Sequence, residues 1–391
     1  MTATSSLAAL AAKKLTDRNP AYEEFFAREA GPLARACEAM AARFLDGGSL
    51  LALGRGPYAT DAQHVSVEFV HPVIVGKRAL PALDLSAMAG LPLDCMVRPV
   101  DIVMGFGPPA GDPIIASALE TARRAGAMTF ALQPGQADYA PQHFLADAFQ
   151  HQEAIEILYH TLWETVHVFF ERRELAAEAG GATFLYPFLG GSGSHSGLAR
   201  EVAESIRMKV IDDARLRERV AHEEADAIAR TVNAIVQCVH GGGKLILFGN
   251  GGSATDANDW ALDCAAPPAG MTPIPAMSLS AEPAVLTALA NDIGPDVVFL
   301  RQMIAHAREG DTAIAISTSG GSRNLMSALE EARKRGLTTI ALLGYDGGEI
   351  KRRGLVDHAI VVRSDYIPRI QEVQASIYHV MRELIEEAPH A

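Results

Sequence analysis

Short, continuously apolar runs alternate along the chain with longer segments whose apolar positions recur every three or four residues. In the first half the runs are LLAL (50–53), DIVMGF (101–106) and MTFALQ (128–133); in the second they are LILFG (245–249), TAIAIS (312–317), TTIALLG (338–344) and HAIVVR (358–363). Runs apolar at every position predict strands buried on both faces, and helical patterns between them predict a parallel sheet covered on both sides. The expected fold class is therefore α/β, with a doubly wound, three-layer α/β/α arrangement.

That pattern is written twice. Residues 46–62 (DGGSLLALGRGPYATDA) match 241–257 (GGGKLILFGNGGSATDA), sharing the tetrapeptide Ala-Thr-Asp-Ala. SALETARRAG (117–126) then matches SALEEARKRG (327–336), and FQHQEAIEILYHTLWE (149–164) matches RIQEVQASIYHVMREL (369–384), pairing Gln152 with Gln371 and His160 with His379. The order of elements is kept throughout, so a domain duplication is expected, with one domain over 1–179, a linker over 180–197 and a second domain over 198–391. The linker, GGATFLYPFLGGSGSHSG, carries Phe184, Leu185, Tyr186 and Phe188, which predict docking on a domain surface rather than a free tether. The last helix of each copy is long and broadly apolar, as suits helix packing between domains.

Composition narrows the classes of function. A net charge of -13 repels phosphate backbones, which argues against nucleic-acid binding and requires a local device for any anionic substrate. Four dispersed cysteines, Cys37, Cys95, Cys238 and Cys264, form neither a disulfide framework nor a metal-binding pair. No run approaches the length of a membrane span and the N-terminus lacks the order of a secretory signal, so a cytoplasmic protein without membrane partners is expected.

Two Gly-rich turns of the second copy mark a ligand edge. Strand TAIAI runs into Ser317, Thr318, Ser319, Gly320, Gly321 and Ser322 and then a helix; hydroxyls and glycines at a helix N-terminus suit a phosphate monoester. One N-capping hydroxyl would need no such cluster. The turn Gly249, Asn250, Gly251, Gly252, Ser253 also opens a helix, but matches neither the dinucleotide fingerprint nor the P-loop, so no nucleotide cofactor is expected.

The combination GNGGSATDA, Asn291-Asp292, STSGGS and RIQE followed by His379 resembles the sugar isomerase (SIS) domain of the phosphoheptose isomerase family. The first copy resembles it through ATDAQHVSVEF and QEAIEILYH. The resemblance implies an aldose–ketose isomerase, most directly one converting sedoheptulose 7-phosphate to D-glycero-D-manno-heptose 7-phosphate by a proton shift through an enediol. It further implies that Asn250, Gly251, Gly252, Ser253, Asn291, Asp292, Ser317, Thr318, Ser319, Ser322 and Gln371 bind substrate. Because SIS domains also occur in regulators, a non-catalytic phosphosugar-binding or assembly protein is the alternative.

Family members carry His-x-x-x-Glu after the first Gly-rich turn and a Gln and His eight apart on the last helix, and some bind zinc with these four. The first copy keeps all of them as His64, Glu68, Gln152 and His160, the implied metal set, at one zinc per chain. The second has Asp259, Asp263, Gln371 and His379. His64 and Glu68, four apart, share a helix face, and Gln152 and His160 lie about 80° apart around theirs. The phosphate loop diverges the other way, since the first copy reads Phe106-Gly107-Pro108-Pro109-Ala110-Gly111-Asp112 without a hydroxyl. Glu68 is the expected base and His160 its acid/base partner, with Asp263 and His379 as their counterparts. The chemistry is thus expected either to be complemented between copies or to rest on the second alone. By the family's assembly, a homodimer would form a pseudo-tetramer of SIS domains around the phosphorylated sugar.

Overall fold

The computed structural model describes residues 3–72, 77–177 and 195–388. In chain order its elements are α1 (Ala3–Thr16), α2 (Asn19–Leu45), β1 (Leu50–Leu53), α3 (Tyr58–Val70), β2 (Ala82–Asp84), β3 (Ile102–Phe106), α4 (Pro113–Arg124), β4 (Met128–Leu132), α5 (Ala148–Ala177) and α6 (His195–Glu223). There follow α7 (Ala225–His240), β5 (Leu245–Gly249), α8 (Gly252–Ala265), β6 (Ala276–Ser278), α9 (Pro283–Asp292), α10 (Val298–His306), β7 (Thr312–Ser317), α11 (Arg323–Lys334), β8 (Thr338–Gly344), α12 (Gly348–Arg352), β9 (His358–Val362) and α13 (Ile367–Glu387).

Two compact units result, one of residues 20–212 and one of 1–19 with 213–391. The first holds a four-stranded parallel sheet in the order β2-β1-β3-β4, the second a five-stranded parallel sheet in the order β6-β5-β7-β8-β9. Successive strand side chains point to opposite faces. In the second unit Leu245, Leu247, Ile314 and Ile316 meet helices α1, α7, α8 and α13, whereas Ile246, Phe248, Ala313 and Ala315 meet α10 and α11. In the first, Leu50, Ala52, Ile102 and Met104 face α2, α3 and α5, while Leu51, Leu53 and Val103 face α4. Each unit is the doubly wound, three-layer fold that the apolar runs predict.

The duplication extends to small details. Gly56 and Gly251, equivalent positions, both take φ +58° in the turn from first strand to helix. Thr129 and Thr339 each bind an aspartate, Asp138 and Asp357, through backbone N–H and hydroxyl alike.

The seams differ from the expected boundaries. Residues 3–19 pack in the second unit, not the first: Leu7, Ala8, Ala11 and Leu15 are buried with Ile228, Val232 and Ile235 of α7, and Arg18 pairs with Glu383 at 2.5 Å. Conversely Val202, Ala203, Ile206 and Val210 of α6 join the core of the first unit. An apolar helical stripe shows that a face is buried but not which partner buries it. Most of the 180–197 linker, with its four apolar residues, lies outside the described residues. Trp163 and Trp260 are fully buried core residues, as their helix faces predict. Among the described residues no helix is long and apolar enough to cross a membrane.

Candidate active site

In the second unit the strand β7 delivers Ser317 to the loop before α11. Ser317 Oγ accepts from the Gly320 N–H at 3.0 Å and Ser319 Oγ from Gly321 N–H at 3.3 Å, so two of the predicted phosphate hydroxyls also order their own loop. Gly320 sits at φ +60° with its Cα so close to Gly347 that a Cβ would lie 2.3 Å from the Gly347 carbonyl oxygen, which only glycine permits. Ser322 stands at the N-cap of α11, yet its side chain makes no capping bond. The helix end is therefore left available to an anion. Asn250 and Asn324 exchange amide hydrogen bonds of 3.1 and 2.9 Å, tying the first Gly-rich turn to the first turn of α11.

The equivalent positions in the first unit are closed. Asp112, matching Ser322, caps α4 by accepting from Ile114 and Ile115 N–H at 2.8 and 3.3 Å, and Arg55, matching Asn250, pairs with it at 3.0 Å. A resident carboxylate thus fills the place that the second unit offers to a ligand. His151 donates from Nε2 to the Gly107 carbonyl of this closed loop at 3.0 Å.

Burial pushes the His151 imidazole down to about 4, although the Gly107 and Leu132 carbonyls favour its proton. The folded group thus binds a proton less readily than the unfolded one, and its contribution is complete above the ordinary value of 6.5. Acid unfolding is expected to cost on the order of 3 kcal/mol through this residue as pH falls from about 6.5 to about 4. His151→Gln should flatten that part of a denaturant-midpoint series against pH; an unchanged slope would contradict the assignment.

A buried polar cluster lies between α3 and α5 of the first unit. His64 Nε2 is 3.4 Å from His160 Nε2 and 3.8 Å from Glu68 Oε1, and His64 Nδ1 lies 3.0 Å from the Tyr159 hydroxyl. His64, Glu68, Gln152, Glu156 and His160 are all buried. Gln152 is buried as well; its amide nitrogen donates to Asp61 Oδ2 at 3.2 Å and to the Pro57 carbonyl at 3.5 Å, bracing the start of α3. Glu156, one turn from His160, forms a set with His64 and His160 whose ligand atoms lie within 4.8 Å of one another.

The second unit repeats the geometry with other chemistry. Tyr378 donates to Asp259 Oδ2 at 2.8 Å, and His379 Nε2 lies 3.6 Å from Asp259 and 3.2 Å from Asp263. Arg382, where the first copy has Trp163, donates to the Asp263 carbonyl at 3.2 Å and is fully buried. Burial, and then the charge of Asp259, push the Asp263 carboxyl up to about 7 against the pull of His379 and Arg382. Asp263 also lies about 16 Å along α8 from Gly252, away from the sheet edge that carries both Gly-rich turns. Gln371 is buried on α13, Gly252 and Ser253 open α8, and Gly251 precedes them at its N-cap. Asn291 and Asp292 are exposed at the end of α9, where the Asn291 amide donates to Asp292 Oδ1 at 2.8 Å.

Sequence reasoning missed Glu156, Asp112, Arg55 and Arg382. Glu156 was signalled by its spacing of four from both Gln152 and His160. Asp112 was signalled by its alignment with Ser322.

The two units thus share one doubly wound fold, and the second adds a hydroxyl loop at an open helix end. The profile described as the SIS domain matches residues 212–344. Phosphoheptose isomerase of Thermodesulfovibrio yellowstonii is 38% identical over 188 residues, covering 48% of this chain and 92% of that protein, and the one from Chlorobaculum parvum is 42% identical over 187, covering 47% and 88%. The chain belongs to the phosphoheptose isomerase family. Over nearly its whole length the fold is similar to tagatose-6-phosphate ketose/aldose isomerase from Escherichia coli, at 14% identity and TM-score 0.56, covering 99% of this chain and 94% of that one. The C-terminal domain of glucosamine-fructose-6-phosphate aminotransferase from Francisella tularensis is likewise similar, at 10% identity and TM-score 0.63, covering 96% and 94%.

Proposed function

We propose that the protein interconverts sedoheptulose 7-phosphate and D-glycero-D-manno-heptose 7-phosphate. The observation that carries this reading is the buried His64, Glu68 and His160 cluster, in a chain of this family that also keeps a hydroxyl loop at an open helix end. Phosphate binds at Ser317–Ser322, where Thr318, Ser319 and Ser322 add hydroxyl donors to the helix dipole. Asn250, Gly251, Gly252 and Ser253 line the neighbouring turn, and Asn291, Asp292 and Gln371 serve the sugar hydroxyls.

In the reaction Glu68 removes a proton from C1 of the ketose and returns it at C2, while His160 moves a proton between the two oxygens. Where a divalent metal such as zinc is held, it supplies polarisation of the carbonyl in place of His160. Asp263 is the weaker candidate for the base. Its carboxylate is one methylene shorter, and His379 already engages it.

Incubating the protein with sedoheptulose 7-phosphate, fructose 6-phosphate and tagatose 6-phosphate, with detection of aldose by NMR, tests the substrate. Turnover of the seven-carbon sugar well above the others is expected. A melting-temperature rise with phosphosugar but no product from any of them would instead support a non-catalytic sensor.

A further inference from the structure

Beside the hydroxyl loop of the second unit stands a residue whose backbone is out of keeping with its side chain. Among the described residues Tyr345 alone, glycines apart, has a positive φ, +49°. The Gly347 N–H donates to the Gly344 carbonyl at 2.9 Å, closing a β-turn with Tyr345 at its second position, where a left-handed φ favours glycine. A bulky side chain held against that preference points to a use for the side chain. We infer that the Tyr345 phenol binds the sugar chain of the phosphosugar beside its phosphate, and so favours a polyhydroxylated ligand over inorganic phosphate. The inference rests on the isomerase reading for the identity of that sugar.

Three observations support it. The first is placement. A Cβ on Gly344 would lie 2.4 Å from the Thr318 carbonyl oxygen and 2.7 Å from the Ile370 side chain. Tyr345 therefore leaves the sheet edge at the junction of the hydroxyl loop with the first turn of α13, which carries Gln371. The Ile350 N–H donates to the Gly320 carbonyl at 2.9 Å, fixing the far side of the turn to the same loop.

Secondly, Tyr345 is half-buried and packs against the apolar core on the α13 side of the sheet, yet its hydroxyl bonds to no other described residue. A phenol held in this way offers an apolar face to a carbon chain and both a donor and an acceptor to a sugar hydroxyl. The N–H groups and hydroxyls of Ser317–Ser322 already suit the anion, so the added group is assigned to the chain that carries it. Thirdly, in the register that pairs Thr129 with Thr339, Gly135 of the first unit aligns with Tyr345. That unit has Asp112 in place of the helix-capping hydroxyl, so the tyrosine and the hydroxyl loop occur in the same copy.

The test measures binding of sedoheptulose 7-phosphate and of inorganic phosphate to the full-length protein by calorimetry, with KM and kcat for the sugar. Tyr345→Phe keeps the ring and is expected to lower sedoheptulose 7-phosphate affinity about tenfold, the loss of one well-placed hydrogen bond. KM should rise in step while kcat stays within about threefold, as for a contact made equally to ground and transition states. Affinity for inorganic phosphate should not change. Tyr345→Gly, which removes the ring as well, should lower sugar affinity further, and thermal melting of both variants separates lost binding from lost folding. Unchanged sugar affinity in Tyr345→Phe would reduce the residue to packing and overturn the inference. An equal loss for inorganic phosphate would place the phenol on the anion and overturn its assignment to the sugar. Wild type that binds the sugar phosphate without converting it would end the isomerase reading, while the affinity of Tyr345→Phe relative to wild type would still decide the inference.

Discussion

Replacing Glu68 by glutamine is expected to lower turnover of the heptose phosphate about a thousandfold, within the range that a positioned general base contributes. The substitution keeps volume and hydrogen-bonding capacity, and Glu68 is almost wholly buried against His64, so the melting temperature should move little. Asp263→Asn in the second unit should change turnover by no more than a few-fold. A loss confined to Asp263→Asn would transfer the base to the second unit and reverse the assignment. Loss in neither would place proton abstraction on another group.

Ser322→Asp should separate stability from binding. In the first unit the same helix position already holds an aspartate, Asp112, whose carboxylate caps α4 through two backbone N–H groups. Copied onto α11, it should stabilise the helix by about 1 kcal/mol, since Ser322 makes no capping bond with its side chain. A carboxylate there also opposes a phosphate at roughly 4 Å, which costs several kcal/mol at an effective dielectric near 20. Phosphosugar affinity is therefore expected to fall at least a hundredfold while the melting temperature holds or rises. Unchanged affinity would remove the loop from the phosphate site. The same comparison explains why the first unit is expected to take no phosphosugar at its own loop, where Asp112 and Arg55 satisfy each other.

Much of the fold was legible in the residues. Uniformly apolar strands such as Leu245–Gly249 and Thr312–Ser317 can only be central in a covered sheet, and the paired Ala-Thr-Asp-Ala segments set two copies in register. The partner of α1 was not legible, because Leu7, Ala11 and Leu15 define a stripe without naming the helix that covers it. In the site, His64, Glu68 and His160 converge because i, i+4 spacing on one helix and a long facing helix suffice to bring them together. Glu156, one turn before His160 on the same helix, also reaches this cluster and is not marked by the family pattern. Likewise the loop at Phe106–Asp112 reads as a loss of hydroxyls, whereas its physical content is the gain of a charge.

Incubation of wild-type protein with sedoheptulose 7-phosphate in deuterium oxide, followed by proton and carbon NMR, tests the proton shift most directly. An enediol route predicts an aldose phosphate carrying solvent deuterium at C2, accompanied by exchange at C1 of the recovered ketose. Tight phosphosugar binding with neither product nor exchange at C1 would contradict catalysis by this chain.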